Sequence, residues 1–188
     1  MKKDIIEKIE IPDGYEINID RSSGLFYVIK ISFKDKSLTR QFKVGKKIII
    51  RKDENFLVIK SNKATRKEKR IIKTIKSHIR NMIIGLSNPW SYKLEICYSH
   101  FPISVSIDKN KKQIIIKNFF GENKPRVVKL LDGVDVEIKG NIIQVLSCDK
   151  ELAGRQAALI EGATRITNRD RRIFQDGIWI IEKANKPI

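Results

Sequence analysis

The chain has 188 residues, 41% of them hydrophobic and 32% charged, with 39 Lys and Arg against 22 Asp and Glu for a formal net charge of +17. That apolar content supports a folded core rather than a disordered basic tail, and the cation surplus sets up a field that concentrates polyanions. The sequence holds no apolar run of about twenty residues that would span a membrane, its charged opening residues do not read as a secretory leader, and Cys97 and Cys148 fit no zinc or redox spacing.

In the first half, apolar alternation and β-branched runs predict strands at 15–19, 25–33, 38–42, 47–51 and 56–60. Turn chemistry at Asp13-Gly14, Ser22-Ser23-Gly24, Lys34-Asp35-Lys36 and Asp53-Glu54-Asn55 separates them. After Ser61 and Asn62, read as an N-cap pair, the period changes: Ile71, Ile72, Ile75, Ile79, Met82 and Ile83 share one helical stripe, which Gly85 closes. Lys63, Arg66, Lys67, Lys69, Arg70, Lys73, Lys76 and Arg80 crowd this segment with Glu68 as the one acid among them. Such a run is either a phosphate-facing stripe or a solvated outer face. His78 is read as part of its polar face.

The second half repeats the order. Strands are predicted at 103–107, 113–119, 126–130, 134–138 and 142–147, then a helix over 150–163. The segment 55–61, Asn-Phe-Leu-Val-Ile-Lys-Ser, lies against 141–147, Asn-Ile-Ile-Gln-Val-Leu-Ser, and each precedes a helix. Agreement in strand order, turns and helix position points to a tandem duplication. The expected fold is α+β, with two tandem domains at 1–86 and 90–188, each a small antiparallel sheet covered on one face by a helix, joined at Ser87-Asn88-Pro89.

The second helix is followed by Arg165, Arg169, Arg171 and Arg172 around Asp170, then Phe174, Asp176-Gly177 and a last strand at 178–182. Guanidinium groups offer a planar donor fork that suits phosphate oxygens and stacks on bases. These four arginines and Lys117 are the first-choice phosphate contacts. Phe174 and Trp179 are expected to tuck toward the core, Asp176 to shape an Asp-Gly turn, and Asp170 to orient an adjacent arginine.

Catalytic and metal chemistry find little support. The two histidines, His78 and His100, have no Cys or acid at ligand spacing, so no metal or other cofactor is expected. No phosphate-binding glycine loop and no Gly-x-Ser-x-Gly elbow is present. The cysteines read as reduced, buried thiols of a cytoplasmic protein. A free-standing basic RNA chaperone and a basic nuclease are the rival classes; the second lacks a convergent carboxylate set.

Tyr92-Lys93, 98–102 (Tyr-Ser-His-Phe-Pro), 117–122 (Lys-Asn-Phe-Phe-Gly-Glu) and 149–183, with Arg-Arg-Ile-Phe-Gln-Asp-Gly at 171–177, resemble the family of large-ribosomal-subunit protein six in the universal scheme. The likeness is to its archaeal and eukaryotic branch, where eukaryotes call it protein nine. The first half resembles it more loosely, through Ile11-Pro12 and 78–85, and 52–62 lacks the tryptophan usual in eukaryotic relatives. Trp179 stands where tyrosine is usual.

The resemblance implies a duplicated α+β fold and a non-enzymatic role in cytoplasmic ribosomes, with nucleolar assembly if the source is eukaryotic. It implies contact with large-subunit ribosomal RNA near the sarcin-ricin loop, a neighbourhood of stalk-base and other ribosomal proteins, and transient approach of translation factors. It also adds Tyr92, Lys93, His100, Asn118, Gly121 and Arg155 as RNA-contact candidates.

Overall fold

Alternation carries the first unit. The computed structural model describes residues 3–22, 25–170 and 172–188, so the turn expected at Ser22-Ser23-Gly24 falls partly outside the described residues. Its strands are β1 (Lys3–Glu10), β2 (Tyr15–Ser22), β3 (Phe26–Phe33), β4 (Lys36–Lys43), β5 (Ile48–Asp53) and β6 (Phe56–Ala64), followed by α1 (Arg66–Ser87). They form two antiparallel sheets, ordered β1-β6-β5 and β2-β3-β4, rather than the single sheet expected. In β3, Tyr27, Ile29 and Ile31 point inward. Ile72, Ile75, Ile79, Met82, Ile83 and Leu86 of α1 complete that core.

The structure moves both ends of the predicted first helix. β6 continues through Ser61 and Asn62 to Ala64, because Ser61 still pairs with Ile5 and Ile48. Thr65 is the N-cap: its hydroxyl accepts from Lys67 N–H at 3.3 Å, and the Glu68 carboxylate accepts from Thr65 N–H at 2.7 Å. This reciprocal box satisfies donors that a helix start leaves open. At the other end Gly85 stays helical and buried, and Asn88 N–H donates to the Ile84 carbonyl at 2.8 Å. His78 is half-buried rather than on a free polar face: Arg40 lies 2.6 Å from its Nδ1, and Phe42 packs 5.8 Å from its ring.

The second unit holds β7 (Trp90–Cys97), β8 (Ser104–Asp108), β9 (Gln113–Lys117), a 3-10 turn (Phe119–Gly121), β10 (Arg126–Lys129), β11 (Asp135–Lys139) and β12 (Ile142–Ser147). Then come α2 (Lys150–Ala163), β13 (Gly177–Lys183) and β14 (Lys186–Pro187). One sheet is ordered β8-β9-β10 and the other β11-β12-β7-β13-β14. Asp149 caps α2 through Glu151 N–H at 2.9 Å, and Ala153, Ala157 and Ile160 enter the core.

Strand order therefore repeats, β1-β6-β5 matching β7-β12-β11 and β2-β3-β4 matching β8-β9-β10, and the second copy adds β13 and β14 beyond β7. The chain divides into compact units Met1–Asn88 and Pro89–Ile188. β1 and β7 were not among the predicted strands. In β1, adjacent Ile5 and Ile6 break the alternation, and Ile6 is left exposed. In β7, Trp90, Tyr92, Leu94 and Ile96 are buried at alternate positions, with Ser91 buried between the first two.

Candidate nucleic-acid interface

The strand predicted at 113–119 stops at Lys117 because Asn118 turns left-handed (φ 60°). Phe120 (φ 51°) and Gly121 (φ 73°) follow in the same region. For a phenylalanine that backbone costs about 1–3 kcal/mol, and persists only where surrounding contacts hold it. Those contacts are visible. The Phe120 ring meets Phe119 at 4.7 Å and Phe174 at 5.8 Å, both edge-on. Arg169 lays its guanidinium 4.9 Å from the centre of Phe120 and 4.9 Å from that of Phe174. A guanidinium held by two rings keeps its in-plane donors free for an anion and loses little entropy on meeting one.

The loop after β7 is tied to the same corner by one carboxylate. Asp176 is 1% exposed. One of its oxygens accepts from Ser99 N–H (3.0 Å), Ser99 Oγ (2.8 Å) and His100 Nδ1 (3.1 Å). The other accepts from His100 N–H (3.0 Å) and Phe101 N–H (3.4 Å). Burial opposes its charge, but the His100 and Ser99 bonds outweigh burial and hold the carboxyl well below the ordinary range. Asp176 thus anchors a distant loop rather than shaping an Asp-Gly turn. With Nδ1 engaged, the His100 ring packs against Phe174 at 5.1 Å, tilted by 35°. Phe101 lies over Gly121, where an added Cβ would stand 3.4 Å from its ring, and Asn118 Nδ2 donates to the Pro102 carbonyl at 3.0 Å.

Asp170 bonds to the backbone of its own segment. Its carboxylate accepts from the backbone N–H of Arg172 at 2.9 Å, and its carbonyl from Phe174 N–H at 2.9 Å. These bonds hold the backbone beside Arg172, which is exposed. Arg171 lies outside the described residues.

His100, Asn118, Gly121, Arg169 and Arg172 therefore belong to one corner. Lys117 is exposed at its edge, one residue before Asn118. The remaining candidates lie elsewhere in the unit. Arg165 is exposed at the end of α2, beside a cleft of about 320 Å³ that includes Trp179. Arg155 points outward from α2. Lys93 is ion-paired with Glu182 at 2.7 Å. Tyr92 is buried, its hydroxyl only 3.0 Å from where a Cβ on Gly154 would stand, and burial pushes its pKa up. It packs β7 against α2 and offers nothing outward.

Trp179 corrects another expectation. It is 37% exposed, because its neighbours Ile178 and Ile180 face inward on β13; its indole lies back over Gly177 and donates to the Gln175 carbonyl at 3.0 Å. Cys97 and Cys148 are free but only half-buried. Sequence reasoning missed Arg126, which stacks 4.2 Å over Phe119, bonds Glu122 at 2.8 Å and caps α2 through the Ala163 carbonyl at 2.7 Å. It also missed Phe101 and Phe120, although the Phe-Phe-Gly run was the signal available. Among the described residues no helix is long and apolar enough to cross a membrane, and no cluster of three or more His, Cys, Asp or Glu could hold a metal.

Residues 101–177, which contain most of this corner, match the family model described as ribosomal protein L6. The chain is 41% identical over 180 residues to the large ribosomal subunit protein uL6 of Desulfurococcus amylolyticus, covering 96% of this chain and 95% of the relative. The chain belongs to this family. The uL6 protein of Aeropyrum pernix is 37% identical over 185 residues, covering 97% and 98% of the two chains, and that of Staphylothermus marinus 40% identical over 179 residues, covering 95% and 94%. These relatives match both units, so membership does not rest on the second unit alone.

Proposed function

We propose that the chain is a structural, non-catalytic constituent of the large ribosomal subunit that grips ribosomal RNA with its second unit. The observation that carries this is the Arg169 guanidinium held against Phe120 and Phe174, within a family whose members are large-subunit proteins. Fixed guanidinium groups suit RNA helices, which are recognised through phosphate, 2′-hydroxyl and shape more than through base edges. Arg169 and Arg172 are the central contacts, flanked by Lys117, His100 and Asn118, with Arg165 extending the surface and Arg171 adding charge from sequence alone.

The finer reading is that this corner docks near the sarcin-ricin loop, with the stalk base and its proteins as neighbours, so that translation factors pass close by. The likeness of 117–122 and 171–177 to the family supports it. The test replaces Arg169 and Arg172 with Ala and follows the chain through sucrose gradients in high salt. The expected result is loss from large subunits with the fold intact. Wild-type, salt-resistant incorporation would overturn the reading, and a wild-type chain that runs at the top of the gradient would favour a free-standing RNA chaperone.

A further inference from the structure

The duplicated units treat one sheet edge differently. In the second unit the outer edge of β7 is covered by β13, which pairs antiparallel from Gly177↔Cys97 to Glu182↔Lys93. α2 helps to hold it, since the Glu161 carboxylate accepts from Ile180 N–H at 3.2 Å. In the first unit β1 occupies the place of β7, and among the described residues no strand pairs with its outer edge. An edge strand presents alternate N–H and C=O groups outward and is a template for another chain.

Two clefts flank this edge. One, of about 360 Å³, lies between Asp4, Ile5 and Glu7 of β1 and Arg66, Lys69 and Lys73 of α1. The other, of about 500 Å³, lies between Lys8 and Ile9 of β1 and Phe56, Arg80 and Ile84. The Lys76–Glu7 ion pair stands on the same strand and the same helix face. On α1, Arg66, Lys69, Lys73, Lys76 and Arg80 recur every three or four residues, so they line one helix face. That face runs beside β1 and ends in the exposed Ile84, with exposed Phe56 on β6 nearby. The basic run left open by sequence is thus divided: five of its eight residues form a wall along an uncovered strand, Lys63 lies on β6, and Lys67 and Arg70 line neither cleft.

We propose that the β1 edge receives an added antiparallel strand from an acidic, extended segment of a neighbouring protein in the large subunit. Main-chain bonds to β1 supply pairing, carboxylates on the incoming strand meet Arg66, Lys69, Lys73 and Arg80, Lys76 being already paired with Glu7, and its apolar side chains settle at Phe56 and Ile84. The apolar end of the groove and the unpaired backbone favour a peptide over RNA, which would meet the same cations without using either feature. The proposal rests on the placement in the large subunit.

The test places the photo-cross-linker p-benzoylphenylalanine at Ile84 of the full chain, isolates large subunits, irradiates them and identifies the adduct by mass spectrometry. The expected adduct is an acidic segment of one neighbouring protein, with β1 amides that exchange in the free chain becoming protected in the subunit. Lys69→Glu combined with Lys73→Glu should lower the adduct yield about fivefold while the chain still sediments with subunits. A cross-link to ribosomal RNA, absence of a protein adduct from a chain that sediments with subunits, or unchanged β1 exchange would overturn the docking site. A chain that never enters subunits would remove the placement and the docking together, and the gradient tells the two failures apart.

Discussion

Replacing Asp176 with Asn keeps the size of the side chain and removes its charge. The carboxylate now accepts five hydrogen bonds, three on one oxygen and two on the other. An amide facing the His100 and Phe101 N–H groups would turn two acceptances into donor-against-donor contacts. The opposite flip would do the same to Ser99 and His100 Nδ1. Bonds to charged groups contribute roughly 1.5–3 kcal/mol each when well buried. Because the loop is part-exposed, the expected loss is about 2–4 kcal/mol for the second unit.

The assay is denaturation of the intact chain, with amide exchange at Ser99 to Phe101 assigning the change to this loop. Asp176 has a lowered pKa in the folded protein. Its contribution is therefore fully present above the ordinary carboxylate value of about 3.9 and is lost as pH falls toward the folded value. The stability gap between wild type and Asp176→Asn should accordingly be wide at neutral pH and close in acid. An Asn variant as stable as wild type at pH 7, with Ser99 to Phe101 still protected, would refute the anchoring role.

Three further outcomes are expected. Arg169→Lys keeps the charge but loses the planar fork between Phe120 and Phe174, so RNA affinity should fall several-fold with little change in the slope of affinity against salt, measured by filter binding. Gly154→Ala should destabilise the second unit by about 1 kcal/mol net, because crowding of the added methyl against the Tyr92 hydroxyl (3.0 Å) and Cζ (3.2 Å) outweighs the helix-propensity gain; Tyr92→Phe, which keeps Cζ in place, should recover only part of that in a double-mutant thermal melt. Thr65→Ala removes the hydroxyl of the α1 capping box and should lower first-unit stability by about 1 kcal/mol in urea, with exchange rising in the first helical turn.

The sequence showed the repeat clearly because it is written in periods. The stripe of Ile72, Ile75 and Ile79 predicts α1, and the matched segments before each helix became β6 and β12. Thr65 with Glu68 is a readable capping box, yet Ser61 and Asn62 drew the helix start because a polar pair inside a strand looks like a cap. β1 escaped because half its strand faces outward, which leaves Ile6 exposed and the alternation broken.

At the candidate interface, residue type was legible and partnership was not. Arginine clustering marked Arg169 and Arg172, but that Phe120 would turn left-handed to meet Arg169 depends on contacts between segments about fifty residues apart in the chain. Asp176 looked like a turn residue because Asp-Gly is a turn dipeptide; its bonds run to a loop after β7, which no local rule reveals. Tyr92 entered by resemblance, and only the packing against Gly154 shows it facing inward.

The most direct measurement is a structure of the assembled large subunit containing this chain, read at Arg169 and Arg172. The expected result is ribosomal RNA phosphate oxygens within hydrogen-bond distance of both guanidinium groups, with Phe120 and Phe174 still flanking Arg169. A corner facing solvent or protein, with the RNA contacts on another surface, would contradict the assignment.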